Sequence, residues 1–208
     1  MKRSWWVLLP LVLAACASNP PPEPEILLTP AEMGGDFLVR QQLEGDFEGR
    51  IARFEAAMQK VGDELTVIGL TPFGTKAFVL TQKGETVAFQ SMLPPDHELP
   101  LHPKYLLADI QHAFFARIPA PGAEGEQGAL PDGEHTGALG GETVWERWEG
   151  GRVRERVFRV KSGLPSGEVR VTYEGGMADG VPPRVVKLVN GLYGYSITIE
   201  TLVHQWLE

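Results

Sequence analysis

The chain has 208 residues with 19 Lys and Arg against 27 Asp and Glu, a formal net charge of −8, which fits one acidic domain of ordinary size. No basic cluster is present to bind nucleic acid or to hold anionic lipid through charge, so those partner classes are excluded. A single cysteine, Cys16, rules out an internal disulfide and any cysteine-ligated metal site.

The first element is the N-terminal segment. Lys2 and Arg3 precede an apolar run at residues 5–13, WWVLLPLVL, too short to cross a bilayer as a helix, which takes about 20 apolar residues. Positive charge, a short apolar run and small residues at its end form the layout of a secretory signal. Leu13-Ala14-Ala15-Cys16 resembles the lipobox of bacterial lipoproteins. That resemblance implies cleavage after residue 15, a diacylglyceryl group on the Cys16 thiol and an acylated new amino terminus. Ala17 and Ser18 stand where an aspartate would imply inner-membrane retention, so the resemblance implies an outer-membrane anchor with the domain facing the periplasm. The alternative is an ordinary cleaved signal or an unprocessed anchor helix. Residues 19–25, NPPPEPE, are expected to be an extended tether, placing residues 16–35 outside the domain and 36–208 within it.

Period-two alternation begins at Phe37, with Phe37, Val39, Gln41 and Leu43 on one face. Further strands are expected at Ala52 to Met58, over residues 64–70 and 76–82, and over 86–92, where Val87 and Phe89 share a face. Residues 103–116 have helical spacing, with Leu106, Ile110 and Phe114 in one stripe and Lys104, Asp109 and Gln111 outward. Residues 119–141, rich in Gly, Pro and Glu, read as a long mobile loop. Strands resume at residues 142–149 and 152–160, where Trp145 and Trp148 have opposite parity and imply either a bulge or one outward ring. Three more segments, including Val169-Val171-Tyr173 and Tyr195-Ile197-Ile199, bring the expectation to about ten strands with one inserted helix.

A strand meander, one helix and more strands behind a lipoprotein signal resemble the LolA/LolB fold. The stretch ELTVIGLTPFGTKAFVLTQKGETVAFQSM, residues 64–92, is similar to the LolB segment that meets at a Pro-apolar-Gly hairpin, and LHPKYLLADIQHAFF is similar to LolB's next helix. The nearest group by resemblance is a family of uncharacterised outer-membrane lipoproteins with a LolB-like domain, some encoded near aryl-polyene genes. The resemblance implies a mainly β (α+β) fold, a half-open antiparallel barrel with the helix at 103–116 as a lid. It further implies that Phe73, at the hairpin tip, meets the membrane. The long acidic loop at 119–141 departs from LolB.

The apolar faces offer a ligand-binding interior lined by Phe54, Phe78, Phe89, Leu106, Ile110, Phe114, Val171, Tyr173 and Tyr195, with a dry packed core as the alternative. His97, His102, Asp109 and His112 lack a tight ligand motif and read as surface groups, so no metal and no cofactor is expected. No catalytic signature is present, so the chain is not expected to be an enzyme; a hydrolase would need a cleft gathering the helix histidines with a carboxylate. Arg152, Arg154, Arg156 and Arg159 form a basic stripe, the first three on one face of a strand, and are expected to make salt bridges to neighbouring strands, with an acidic partner or a phosphate headgroup as the alternative. Taken with the resemblance, the expected partners are a membrane lipid or acylated cargo, carried toward or inserted in the outer membrane. The other reading is a packed assembly factor that docks an envelope protein.

Overall fold

The computed structural model describes residues 27–93, 103–118, 130–160, 167–178 and 181–207. The signal segment, Cys16, the Pro-rich tether, His97 and His102 lie outside the described residues.

Eleven antiparallel strands form one sheet. They are β1 (Phe37–Phe47), β2 (Arg50–Val61), β3 (Glu64–Leu70), β4 (Lys76–Lys83), β5 (Thr86–Ser91), β6 (Gly133–Leu139), β7 (Glu142–Glu149), β8 (Arg152–Val160), β9 (Val169–Met177), β10 (Val185–Asn190) and β11 (Tyr195–Trp206), with helix α1 (Pro103–Phe114) between β5 and β6. The order across the sheet is β5-β4-β3-β2-β1-β11-β10-β9-β8-β7-β6. Two meanders therefore meet at the β1–β11 pair, and β5 and β6 remain as edges. The half-open architecture expected from the sequence is the observed one.

Alternation explains how the sheet buries one face. Phe37, Val39 and Leu43 of β1, Met58 of β2, Leu65 and Val67 of β3, and Val186 and Leu188 of β10 are buried, while intervening residues face out. Outward pairs such as Arg40–Glu55 and Arg53–Glu44 tie neighbouring strands, as expected of solvated cross-strand charges. The tight turn between β7 and β8 uses Gly150 and Gly151, both at positive φ (60° and 66°), the pairing a two-residue hairpin needs to match strand twist. Helix α1 packs against β5, β9 and β10 across the concave face.

Three expectations change, and one open alternative is decided. The stretch read as a loop at 119–141 contains edge strand β6. Its alternation is hidden because its half-buried set is His135, Gly137 and Leu139, and Gly137 must be small: a Cβ there would come 2.5 Å from Ile118. Trp145 takes the outward option, and its indole N–H donates to Glu134 at 3.3 Å, while Val144, Glu146 and Trp148 face inward and are buried. The arginine stripe of β8 does not keep one face, because the register shifts between Val153 and Glu155; Arg156 is buried and Arg152 exposed. Lastly, Asp109 and Gln111 do not look outward, nor is His112 a surface group. All three are buried, because the helix lies inside the curl of the sheet and residues 27–29 cross over it.

Candidate ligand cavity beneath the helix

Helix α1 carries two kinds of contact. Leu107 and Phe114 are buried and Leu106 and Ile110 pack on the core from half-buried positions, so the apolar stripe faces the sheet as its spacing requires. Beside it runs a polar row that sequence reading missed. Asp109 accepts hydrogen bonds from Asn190 Nδ2 at 3.0 Å and from the Tyr195 hydroxyl. Burial, and then the Asp109 charge, push the Tyr195 hydroxyl well above its usual range. Asn190 is itself fixed, its Oδ1 accepting from the Leu192 and Tyr193 amides at 3.0 and 3.2 Å.

One turn on, His112 donates from Nε2 to Glu142 of β7 at 2.8 Å and its ring lies 4.2 Å from that of Phe158. Burial alone would lower the His112 pKa, but hydrogen bonds to Asp109 and Glu142 and their charges raise it to about 9. The imidazole is therefore charged at neutral pH. The structure does gather a helix histidine with carboxylates, but Asp109 and His112 are buried and Glu142 half-buried, and the three tie the helix to the sheet. Gln111 Oε1 accepts from the Leu27 and Leu28 amides at 2.9 and 3.3 Å, and its Nε2 donates to the Leu28 carbonyl at 2.7 Å. Gln82 Nε2 donates to the same carbonyl at 2.8 Å. The segment leading in from the N-terminus is thus stitched to the helix.

A second buried polar group lies under β7–β9. Arg156 Nε donates to Glu146 at 2.6 Å, Trp148 Nε1 donates to the other Glu146 oxygen at 2.8 Å, and Arg156 reaches the Tyr173 hydroxyl at 3.3 Å. Both partners of the ion pair are fully enclosed. Both Glu146 oxygens accept a bond and the guanidinium donates through Nε and Nη1, the kind of pairing such burial demands.

The cavity opens at the other end of the helix. Its volume is about 60 Å³, and its walls include Met33, Phe37, Val39, Met58, Phe114 and Met177, with Gln41, Arg117 and His204 as polar members and Val181 and Trp206 at an exposed rim. Local structure explains the assembly. The Met33 wall comes from a 3₁₀ turn at Pro30–Met33, closed by a capping box in which Thr29 and Glu32 bond reciprocally. The Phe37 ring stacks on Phe115 at 5.6 Å and meets Trp206 edge-on at 6.4 Å. A shift of register between Arg40 and Gln41 against β11 turns the last residues of β11 over, so His204 and Trp206 join a face on which Tyr195, Ile197 and Ile199 stand. Burial lowers the His204 pKa, leaving a neutral ring.

Of the nine residues expected to line a cavity, Phe114 does so. Phe78, Val171, Tyr173 and Tyr195 are buried in packed core, and Phe54, Leu106 and Ile110 pack on it from half-buried positions. Phe89 sits on edge strand β5, 38% exposed, with its ring stacked on Phe78 at 5.7 Å; an edge strand has a neighbour on one side alone to cover it. The signal that finds the true wall was present, in the shared face of Phe37, Val39 and Gln41, but the bulge that completes it was not. Phe73 stands clear of the fold at 93% exposure. Its turn is held by Gly74 N–H to Thr71 C=O at 2.9 Å and Thr71 N–H to Thr75 C=O at 2.8 Å, so the ring is held on a fixed loop. Among the described residues no cluster of His, Cys, Asp and Glu is arranged to hold a metal, and no helix is long and apolar enough to cross a membrane.

No curated protein matches the sequence. Two solved structures are similar in fold. The LolA superfamily protein NE2245 from Nitrosomonas europaea aligns with a TM-score of 0.49 at 14% identity, covering 88% of this chain and 92% of its own. A candidate outer membrane lipoprotein-sorting protein domain from Vibrio parahaemolyticus aligns with a TM-score of 0.38 at 10% identity, covering 84% and 87%. The family model described as "Protein of unknown function (DUF3261)" matches residues 38–203, which take in the helix and all eleven strands except Phe37 of β1 and residues 204–206 of β11. The chain belongs to the DUF3261 family.

Proposed function

We propose that this is a non-enzymatic envelope protein that takes an acyl group into the half-barrel and assists its transfer to, or insertion in, the outer membrane. The observation that carries the reading is the apolar cavity at the C-terminal end of α1, walled by Met33, Phe37, Met58, Phe114 and Met177. Each methylene moved there from water contributes about 0.8 kcal/mol. At about 60 Å³ the cavity has room for roughly five water-sized groups, taking about 10–15 Å³ each, so it receives part of a chain. The methionines, flexible and polarizable, let the walls adapt to a longer occupant.

Two further features support the reading. Phe73, 93% exposed on a hydrogen-bonded turn, is a suitable membrane-facing tip, since burial of such a ring in acyl chains gains about 1.5–3 kcal/mol. The lipobox resemblance supplies Cys16 as the anchor, and two or more acyl chains hold a protein stably where one does not. Cargo and membrane then meet without a cofactor. The second reading, an assembly factor docking an envelope partner, is favoured by the density of the rest of the interior, where Phe78, Val171 and Tyr195 are buried in a packed core.

The deciding experiment is native mass spectrometry with lipid extraction on the chain lacking residues 1–16, purified gently from a periplasm. A stoichiometric acyl species, lost in a folded Phe114→Asp variant, is the expected result. A clean apo mass with no uptake of added lipid or acylated peptide would replace the carrier with the assembly factor.

A further inference from the structure

Among the described residues, the buried side-chain amides are tied down, with one exception. Gln82, Gln111 and Asn190 each bond to named partners within 3.3 Å. Gln41 is as buried as they are, at 5% exposure, yet its Nε2 has no hydrogen-bond partner. It stands in the wall of the cavity, among Met33, Phe37, Met58 and Phe114. Its backbone is fixed on both sides, paired with Ala56 of β2 and Thr201 of β11, so the side chain has no strand movement by which to escape. A buried N–H donor left unmade is costly, and native interiors rarely keep one without a use.

An amide donor in an apolar wall needs an acceptor from whatever enters. Hydrocarbon has none. The acceptor that acyl chemistry offers is its carbonyl oxygen, and a cavity of about 60 Å³ suits a carbonyl with a few methylenes while the remainder of the chain passes the rim at Val181 and Trp206. We infer that Gln41 donates a hydrogen bond to the carbonyl oxygen of the bound acyl group, so that the site selects an acyl carbonyl over plain hydrocarbon. The inference rests on the acyl-binding reading above and adds to it the part of the ligand that is recognised. The carbonyl belongs to an esterified lipid or to a free fatty acid, for which Arg117 lies in the same wall.

The test uses the full chain carrying Cys16→Ser, with ¹⁵N-labelled glutamine, and three probes of matched tail length: methyl decanoate, decanoate and undecane. Affinity is read by displacement of an apolar fluorescent dye, and the Gln41 side-chain N–H resonances report the bond directly. Methyl decanoate or decanoate is expected to bind about tenfold tighter than undecane, the discrimination one neutral hydrogen bond provides, and to shift the Gln41 resonances. In Gln41→Leu methyl decanoate and undecane become equal. Stronger binding of decanoate with steep salt dependence assigns a free acid; stronger binding of the ester assigns an esterified lipid. Equal affinities in the native chain with an unmoved Gln41 resonance, or a preference for methyl decanoate over undecane that survives Gln41→Leu, overturns the inference and leaves acyl binding standing. Binding of no probe at all removes the acyl reading itself. Should Gln41→Leu fail to fold, Gln41→Met together with the native resonance shift decides the matter.

Discussion

Neighbouring parts of helix α1 meet the same sheet by different physics. Between its middle and its last turn, Asp109 and His112 bond to Asn190, Tyr195 and Glu142 from β10, β11 and β7. At its C-terminal end, Phe114 and Phe115 border an apolar cavity whose wall holds the buried, unpaired Gln41 Nε2. Directional bonds fix position, because a buried donor has few acceptable partners. Apolar contacts fix little beyond volume, so the wall of the cavity is held less tightly in position than the hydrogen-bonded part of the helix.

The largest effect expected from breaking this contrast comes from beyond the helix. Glu146→Ala leaves Arg156 charged and enclosed, and breaking such a pair costs about 3–5 kcal/mol; urea unfolding measures it, and a smaller loss would mean that the pair is reached by water. Next is the tie between helix and sheet. Asp109→Ala strands the Tyr195 hydroxyl and Asn190 Nδ2 and is expected to cost about 1–3 kcal/mol. Amide exchange in α1 should quicken more than in β1 or β11. Equal quickening everywhere would show that the helix is not separately held.

The His112 contribution has a definite pH window. Its folded pKa, about 9, lies above the ordinary 6.5, so the folded state holds the proton more tightly. The stability this provides is fully present below pH 6.5 and is lost as pH rises through 9. The groups facing the ring are Asp109 on its own helix, Glu142 on β7 and the Phe158 ring on β8. Unfolding free energy measured from pH 6 to 10 should fall across that window, and His112→Gln should flatten it. The smallest effect on stability belongs to Phe73→Ser, within about 0.5 kcal/mol as for exposed sites generally. Sedimentation with phospholipid vesicles, by contrast, should show weaker binding; unchanged binding would take the membrane role from the tip.

Much of the sheet was legible because alternation is a local property. The shared face of Phe37, Val39, Gln41 and Leu43, and that of Val169, Val171 and Tyr173, each follow from period two alone and are the buried sets observed. Strand β6 was not legible, since the inward position of Gly137 carries no side chain to mark it and its smallness answers to Ile118, far away in sequence. The candidate site was legible in Phe114 alone among the nine residues first suspected. Aromatic residues were the natural suspects, but Phe78 and Tyr195 found packing partners in the core, while Met33, Met58 and Met177 joined Phe37, Phe114, Phe115 and Trp206 in the wall.

The sequence by itself determined which faces of the strands and helix are apolar, where the Pro-Phe-Gly tip stands and how the N-terminal segment reads, because each is set within a few neighbouring residues. Tertiary structure alone decided that Asp109, Gln111 and His112 turn inward, that a bulge beside Gln41 brings Trp206 to the cavity, and that Gln41 is left without a partner there. A polar side chain on a helix reads as solvent-facing until something covers it. Here the covering strands β7, β10 and β11 come from the far end of the chain, and only their return over the helix supplies the bonds that make burial of those groups possible.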